Sequence, residues 1–246
     1  MRIYESPYQD AVSNAALEEF LFRRRPLQSA LLFYRNEDSV LWGRNQNPLY
    51  ECALDHCLAE KVTLIRRISG GGTVYHDLGN LNYCFVLPRE AYDPARYVGL
   101  IAGALQDLGL SVVSVCPRHS IWVDNRKVSG TAFALSGPAV LLHGCLLLQT
   151  DLQRLQKLLT PQMLFAKEGA VRRIASIRST VANLQEYVPG LDMPALMDAI
   201  CKRLRKNNVV SPEVFCPERL QIDEMELAPF RKKFSEASWT LELAKS

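Results

Sequence analysis

The chain has 246 residues, 48% of them hydrophobic, which is enough for one large domain with a sizeable core. A formal net charge of +3 excludes a strongly basic nucleic-acid binder and leaves room for a local basic surface. No stretch reaches the roughly 18 uninterrupted apolar residues of a membrane span, and the polar start MRIYESPYQD lacks the apolar core of a signal peptide. Seven cysteines at irregular spacing favour a reducing compartment, so a cytoplasmic protein is expected.

In chain order, Asp10 to Arg25 has helical spacing, with Val12, Ala16, Leu17, Phe20 and Leu21 on one side and Pro26 as the stop. The run Arg23 to Arg25 fits a solvated helix end favoured by the dipole, or a docking patch for an acidic partner. Apolar runs at Ser29 to Tyr34 and Ser39 to Trp42, separated by RNED, read as a hairpin. A helical stretch near Leu54 to Lys61 precedes VTLIRRIS, a strand leading into three glycines. NLNYCFVL (Asn80 to Leu87) is the next strand, with Leu81, Tyr83, Phe85 and Leu87 on one face. Pro94 to Leu108 is helical, with Val98, Ile101, Leu105 and Leu108 in register, and Gly109 closes it.

LSVVSV and SIWV read as strands, and Asp124–Asn125 is a tight-turn signal before RKVSGTAFAL. AVLLHGCLLLQT is apolar on both faces, which predicts a central strand. Thr150 with Gln153 predicts a capping box for the helix DLQRLQKLL, and TPQM opens another helix at Pro161. Asp192 to Leu204 is a later helix with Leu196, Ile200 and Leu204 on one stripe. No repeat or linker divides the chain, so 1–246 reads as a single domain, with 207–246 a less regular, Pro-containing extension. The mixed order argues against a regular βαβ series. It predicts an α/β fold of the α+β kind, a mixed, largely antiparallel sheet flanked by helices.

RRISGGGTVYHD, Arg66 to Asp77, carries the strongest chemical signal. Three glycines remove the Cβ atoms from one side of a turn, so backbone N–H groups can converge on an oxyanion; a flexible hairpin is the equal alternative. The stretch is not a phosphate-binding P-loop, because no Gly-Lys-Ser/Thr ends it. Nor is it a dinucleotide fingerprint, since Tyr75 stands where the last glycine should be. Arg66 and Arg67 are successive strand residues and point to opposite faces, so one is expected at the surface and the other in the site. Lys127, just past the tight turn, is either solvated or a cation for developing negative charge, with small residues Ser129 to Ala132 leaving space beside it. His143 is either a satisfied core residue or a pocket residue, and Gly144 leaves a gap for a ligand or another backbone. Cys52 and Cys57 in CALDHC fit no strong zinc spacing and read as a helix surface.

Taken together these segments resemble the lipoate–protein ligase A family, within the biotin/lipoate ligase superfamily, over roughly residues 10 to 240. The matching blocks are NAALEEF, LWGRNQNP, RRISGGGTVYHDLGNLNYCF, RKVSGTAF, HGCLLL with DLQRL, IRSTVANL and FSEASWTLE, in that order. The resemblance implies a catalytic domain related to class II synthetase and biotin ligase folds. It implies that lipoate or octanoate and ATP give an acyl-adenylate, whose acyl group passes to a lysine of a lipoyl carrier domain. It places Lys127 at the acyl carbonyl and adenylate phosphate, and Arg67, Gly72, Thr73, Val74 and Tyr75 at the nucleotide. Ser69, Gly70, Gly71, His76, Gly130 and His143 would join Lys127 around lipoate, and Phe133, Leu141 and Leu142 would supply an apolar tunnel for its chain.

The family's accessory C-terminal domain is not expected after SWTLELAKS, so either a separate small subunit supplies it or adenylation is weak. Mg2+ is implied with ATP, but RHSIWV has His119 and Ser120 where the family often has Asn-Asp, so metal ligands stay unassigned. The alternatives on this scaffold are an ATP-independent lipoyl or octanoyl transferase, with Cys145 or Cys84 as thiol candidate, and a non-catalytic subunit that binds lipoyl-AMP or the carrier.

Overall fold

The chain opens with strand β1 (Arg2–Glu5) and helix α1 (Ala11–Arg23), in a computed structural model that describes residues 1–24, 29–161, 175–210 and 217–241. Strands β2 (Ala30–Tyr34) and β3 (Ser39–Trp42), helix α2 (Leu54–Ala59) and strands β4 (Thr63–Arg66), β5 (Val74–His76) and β6 (Asn80–Pro88) follow. After α3 (Pro94–Asp107) come β7 (Val113–Val115), β8 (Ile121–Val123), β9 (Arg126–Ser129), β10 (Thr131–Ser136) and β11 (Ala139–Leu147). Helices α4 (Leu152–Leu158) and α5 (Met193–Lys206), the short strand β12 (Glu218–Arg219) and helices α6 (Glu224–Ser235) and α7 (Ala237–Thr240) complete the order.

The main sheet has six strands in the order β10-β11-β6-β2-β1-β12. Its first three pairings are antiparallel, and β1 runs parallel to both β2 and β12. The central strands are apolar on both faces because both faces are covered. On one side Leu81, Tyr83, Phe85 and Leu87 pack with Val98, Ile101 and Leu105 of α3 and with Leu196, Ile200 and Leu204 of α5. On the other, Cys84 and Val86 pack with Leu17 and Phe20 of α1 and with Leu227 and Phe234 of α6. Each such fully buried large side chain contributes about 1.5–3 kcal/mol, so this layering carries most of the fold. Two three-stranded sheets, β4-β3-β5 and β7-β8-β9, flank the end of the main sheet where the site lies. The architecture is the mixed, largely antiparallel sheet flanked by helices that the pattern predicts. Among the described residues no helix is long and apolar enough to cross a membrane.

Several local expectations are corrected. Strands β2 and β3 form no hairpin: β2 has both edges taken by β1 and β6, so β3 pairs instead with β4 and β5. RKVSGTAFAL breaks at Gly130 into β9 and β10, which belong to different sheets. The turn before it is as expected, with φ of 44° at Asp124 and 64° at Asn125. The cap of α4 is Asp151, whose carboxylate accepts from Arg154 N at 2.9 Å, rather than the predicted box from Thr150. The helix expected to open at Pro161 falls on residues 162–174, outside the described ones. Within the stretch expected to be less regular, α6 runs through Pro229. A proline inside a helix costs about 3 kcal/mol or more, and the packing of Leu227, Phe230 and Phe234 onto α1 outweighs it.

Candidate active site

The glycine loop joins β4 to β5, and Arg67 organises it. The guanidinium is 8% exposed and donates to Leu41 O (2.7 Å), Gly70 O (3.0 Å), Gly72 O (2.7 Å) and Ser69 Oγ (3.3 Å). Its planar fork of donors holds the loop carbonyls inward. Arg66 is not the surface partner that strand alternation predicted. It is 2% exposed, because the C-terminal helices cover its face, and it donates to Trp239 O, Thr240 O, Arg44 O and Gln46 O. Gly71 has φ +87°, and a Cβ at Gly43 would collide with Gly71 O, so only glycine lets the two segments pass.

The loop forms one wall of a cavity of about 400 Å³. The other walls come from Lys127 on β9, Gly130 to Ala132, His143 to Cys145 on β11, and Ser176 to Ile177. Arg67, Arg118 and Lys127 line it, and among the described residues no carboxylate does, so the space favours an anion. Lys127 is held from both sides by its backbone: its N donates to Thr180 O (2.9 Å) and its O accepts from Ala182 N (3.1 Å). Its Cε and Nζ lie against Gly130, where a Cβ would stand 3.4 Å from each. The gap expected at Gly144 is filled by the Tyr83 ring and Gly130 O.

Two buried chains of polar groups reach the cavity. In the first, Glu18 accepts from His143 Nδ1 (2.9 Å), while His143 Nε2 meets Ser69 Oγ (2.8 Å). Burial alone would raise the Glu18 carboxyl, but pairing with His143 and the Tyr34 hydroxyl outweighs it and holds Glu18 below its ordinary value. Helical spacing put Val12 and Leu21 on the buried side of α1, yet they are half-buried while Glu18 and Glu19 are buried. In the second chain, Asn14 Nδ2 donates to Asn36 Oδ1 (2.8 Å), and Asn36 Nδ2 faces His76 Nδ1 at 3.1 Å. Burial, followed by the Arg67 charge and His143, pulls His76 down to about 3.

The expected residues Arg67, Gly71, Gly72, Thr73, Val74 and His76 all reach the cavity, as do Lys127, Gly130 and His143. Ser69 is fully buried behind it, and Gly70 is on the loop but outside the lining. Tyr75 turns away into a separate core with Val40, Trp42 and Leu158, because β5 alternates its faces. The predicted tunnel residues do not line the cavity either: Leu141 and Leu142 point into the two main cores, and Phe133 is 48% exposed. Apolar lining comes instead from Val74, Trp122, Ala132 and Ile177. Of the two thiol candidates Cys145 reaches the cavity. Cys84 is buried, and burial together with the Glu18 carboxylate pushes its thiol well up. Cys52 and Cys57 are buried in the separate core rather than lying on a helix surface. Glu18, Asn36, Gln46, Arg118 and Ser176 were not legible as site residues; a carboxylate inside the apolar run of α1 was the one available signal.

Residues 10–205 match the family described as the lipoyl protein ligase A/B catalytic domain. Over 207 residues the chain is 37% identical to the lipoate-protein ligase A of Psychrobacter cryohalolentis, a match covering 84% of this chain and 60% of that protein. The chain therefore spans about 60% of the length of that curated relative. A bi-partite lipoate protein ligase of Thermoplasma acidophilum, described together with its E2 lipoyl domain, superposes with a TM-score of 0.80 at 27% identity, covering 100% of this chain and 98% of that one. A lipoate-protein ligase A bound with ATP superposes with a TM-score of 0.79 at 25% identity, covering 99% and 100%.

Proposed function

The chain belongs to the lipoyl protein ligase A/B catalytic domain family, and from that premise we propose that it is the catalytic part of a lipoate–protein ligase. The observation that carries this reading is the cavity itself: Arg67, Arg118 and Lys127 line it, no carboxylate among the described residues does, and the glycine loop forms one wall. In the first step the lipoate or octanoate carboxylate attacks the α-phosphorus of ATP, forming an acyl-adenylate and releasing pyrophosphate. Two anions must meet, and the Lys127 ammonium between them offsets their repulsion while holding them in line. In the second step the ε-amine of a carrier-domain lysine attacks the acyl carbon. The tetrahedral oxyanion is stabilised by the same Lys127, and it collapses to the amide with AMP as leaving group. The ATP-bound and carrier-associated relatives support both steps by similarity.

Mg2+ prefers carboxylate and phosphate oxygens. Among the described residues no carboxylate lines the cavity, and no group of three His, Cys, Asp or Glu side chains could hold a metal. The acceptor is a lipoyl carrier domain, and a small accessory subunit assists adenylation.

Purified protein, lipoate, ATP with Mg2+ and an apo carrier domain, with and without a candidate accessory subunit, should give a carrier mass increased by one lipoyl group. Lys127→Ala should slow transfer by about 10²–10³-fold with an unchanged melting curve; transfer at the wild-type rate would sink the mechanism. Cys145 in the lining favours a second reading, acyl transfer through the thiol. Modification of the carrier without ATP, from an acylated donor protein, would select it. Binding of lipoyl-AMP with no turnover under any of these conditions would select a non-catalytic subunit.

A further inference from the structure

Beside the glycine loop, the side chain of Gln46 is buried and its amide orientation can be deduced. Gly43 N donates to Gln46 Oε1 at 3.0 Å, and a backbone N–H can only donate, so the amide oxygen must face Gly43. Thr73 Oγ1 donates to the same oxygen at 2.9 Å. The Gln46 NH2 group therefore points the other way and donates to Ser176 Oγ at 3.0 Å. Thr73 N donates to Ser176 Oγ as well, at 2.8 Å.

A serine hydroxyl has two lone pairs and one proton. Both contacts to Ser176 Oγ come from groups that donate, so the oxygen accepts twice and its own proton is left for a third partner. Among the described residues no acceptor for that proton is found, and Ser176 lines the cavity beside Gly72 and Thr73. The position of Ser176 is also pinned, since its backbone N donates to the buried Glu51 carboxylate at 3.1 Å. The result is an O–H donor fixed in direction, on the wall of a space whose described residues include Arg67, Arg118 and Lys127 and no carboxylate.

We propose that Ser176 is a ligand-contacting residue whose hydroxyl donates to an anionic oxygen of the bound acyl-adenylate, and that Gln46 is the positioning residue that aims it. The inference rests on the ligase reading and adds to it a residue that selects for the phosphoryl-bearing intermediate over free lipoate. Lipoate alone places no phosphoryl oxygen next to Gly72 and Thr73, so its binding is indifferent to the Ser176 proton. Gln46 makes no claim on the ligand itself. A carboxylate in its place would still accept from Gly43 N and Thr73 Oγ1, but would draw the Ser176 proton toward itself and away from the ligand.

The test measures binding of two probes by calorimetry: lipoate, and a non-hydrolysable lipoyl-adenylate analogue with a sulfamate in place of the phosphate. Ser176→Ala and Gln46→Glu should each weaken the analogue by at least about 10-fold, the scale of a hydrogen bond to a charged group, while lipoate changes less than about 2-fold. Ser176→Thr, which keeps the hydroxyl, should stay within about 3-fold of wild type. Because both changes act on one proton, the double variant should lose less than the product of the two factors. Melting curves confirm that each variant is folded, and the threonine variant keeps the test alive if the alanine variant is not. Analogue affinity unchanged in Ser176→Ala, or analogue and lipoate weakened in equal proportion, would overturn this inference alone. A wild-type protein that fails to bind the analogue overturns the ligase reading with it.

Discussion

His76 illustrates how a chain of amides can set the state of one ring. Asn14 Nδ2 faces two backbone carbonyls, Tyr8 O at 3.3 Å and Arg35 O at 3.0 Å, so its NH2 side is fixed there and meets Asn36 Oδ1. Asn36 must then present NH2 to His76, and His76 Nδ1 must accept. A ring that accepts at Nδ1 is neutral with its proton on Nε2, and burial next to the Arg67 charge keeps it so by holding the folded value at about 3. The sign follows: between about 3 and the ordinary value of 6.5 the unfolded chain binds a proton that the folded one does not. The stability from neutral His76 is therefore complete above pH 6.5 and is lost as pH falls toward 3, at up to about 1.4 kcal/mol per pH unit. His76→Asn keeps an acceptor for Asn36 and removes the titration. Urea melts at pH 7.5, 6.5, 5.5 and 5.0 should show a shallower pH dependence for that variant; equal slopes would refute the assignment. Near neutral pH the charge of the cavity is thus unaffected by His76.

At the scale of elements, the C-terminal helices reach the loop through Arg66. Trp239 Nε1 donates to Arg66 O at 2.8 Å, and Arg66 Nε donates back to Trp239 O and Thr240 O. Arg67, the next residue, carries the loop carbonyls, so α6 and α7 brace the strand from which the loop departs. Trp239→Phe keeps the ring against Phe234 but leaves the buried Arg66 carbonyl without its indole donor. That loss costs about 1–3 kcal/mol and lowers the melting temperature by several degrees; a melting curve identical to wild type would show that the brace carries no load. Elements of strong period were legible in the sequence, as in α3, β6, β11 and the Asp124–Asn125 turn. Helix α6 was not, because Pro229 and its charged residues mask a face that only α1 makes apolar by contact. The loop, Lys127 and His143 were legible because their residue types are unusual for their setting. Glu18 and Gln46 were not, since each acquires meaning from a partner far along the chain: 125 residues away for Glu18 and His143, and 130 for Gln46 and Ser176.

For the whole molecule, the decisive fact is that the cavity belongs to no single sheet. The main sheet supplies Ala132 and His143, the β4-β3-β5 sheet supplies the glycine loop with Val74 and His76, and the β7-β8-β9 sheet supplies Trp122 and Lys127. The small sheets join the large one through shared cores, Ile121, Val123 and Val128 in one and Leu41 and Ile65 in the other, and through hydrogen bonds such as Cys145 N to Gly130 O at 3.1 Å. A ligand that touches all three walls adds a further link between them, and its binding energy becomes folding energy by mass action. At 100 times its dissociation constant, the lipoyl-adenylate analogue should stabilise the protein by about 2.7 kcal/mol. Amide exchange should slow not only in Gly70 to Val74 but also in Ile121 to Ser129 and Thr131 to Cys145, because opening of any wall must first release the ligand. Hydrogen-exchange mass spectrometry with and without the analogue reads this directly. Protection confined to the glycine loop would mean that the ligand sits on one sheet, and Lys127 would then be too loosely placed to act on both phosphate and acyl group.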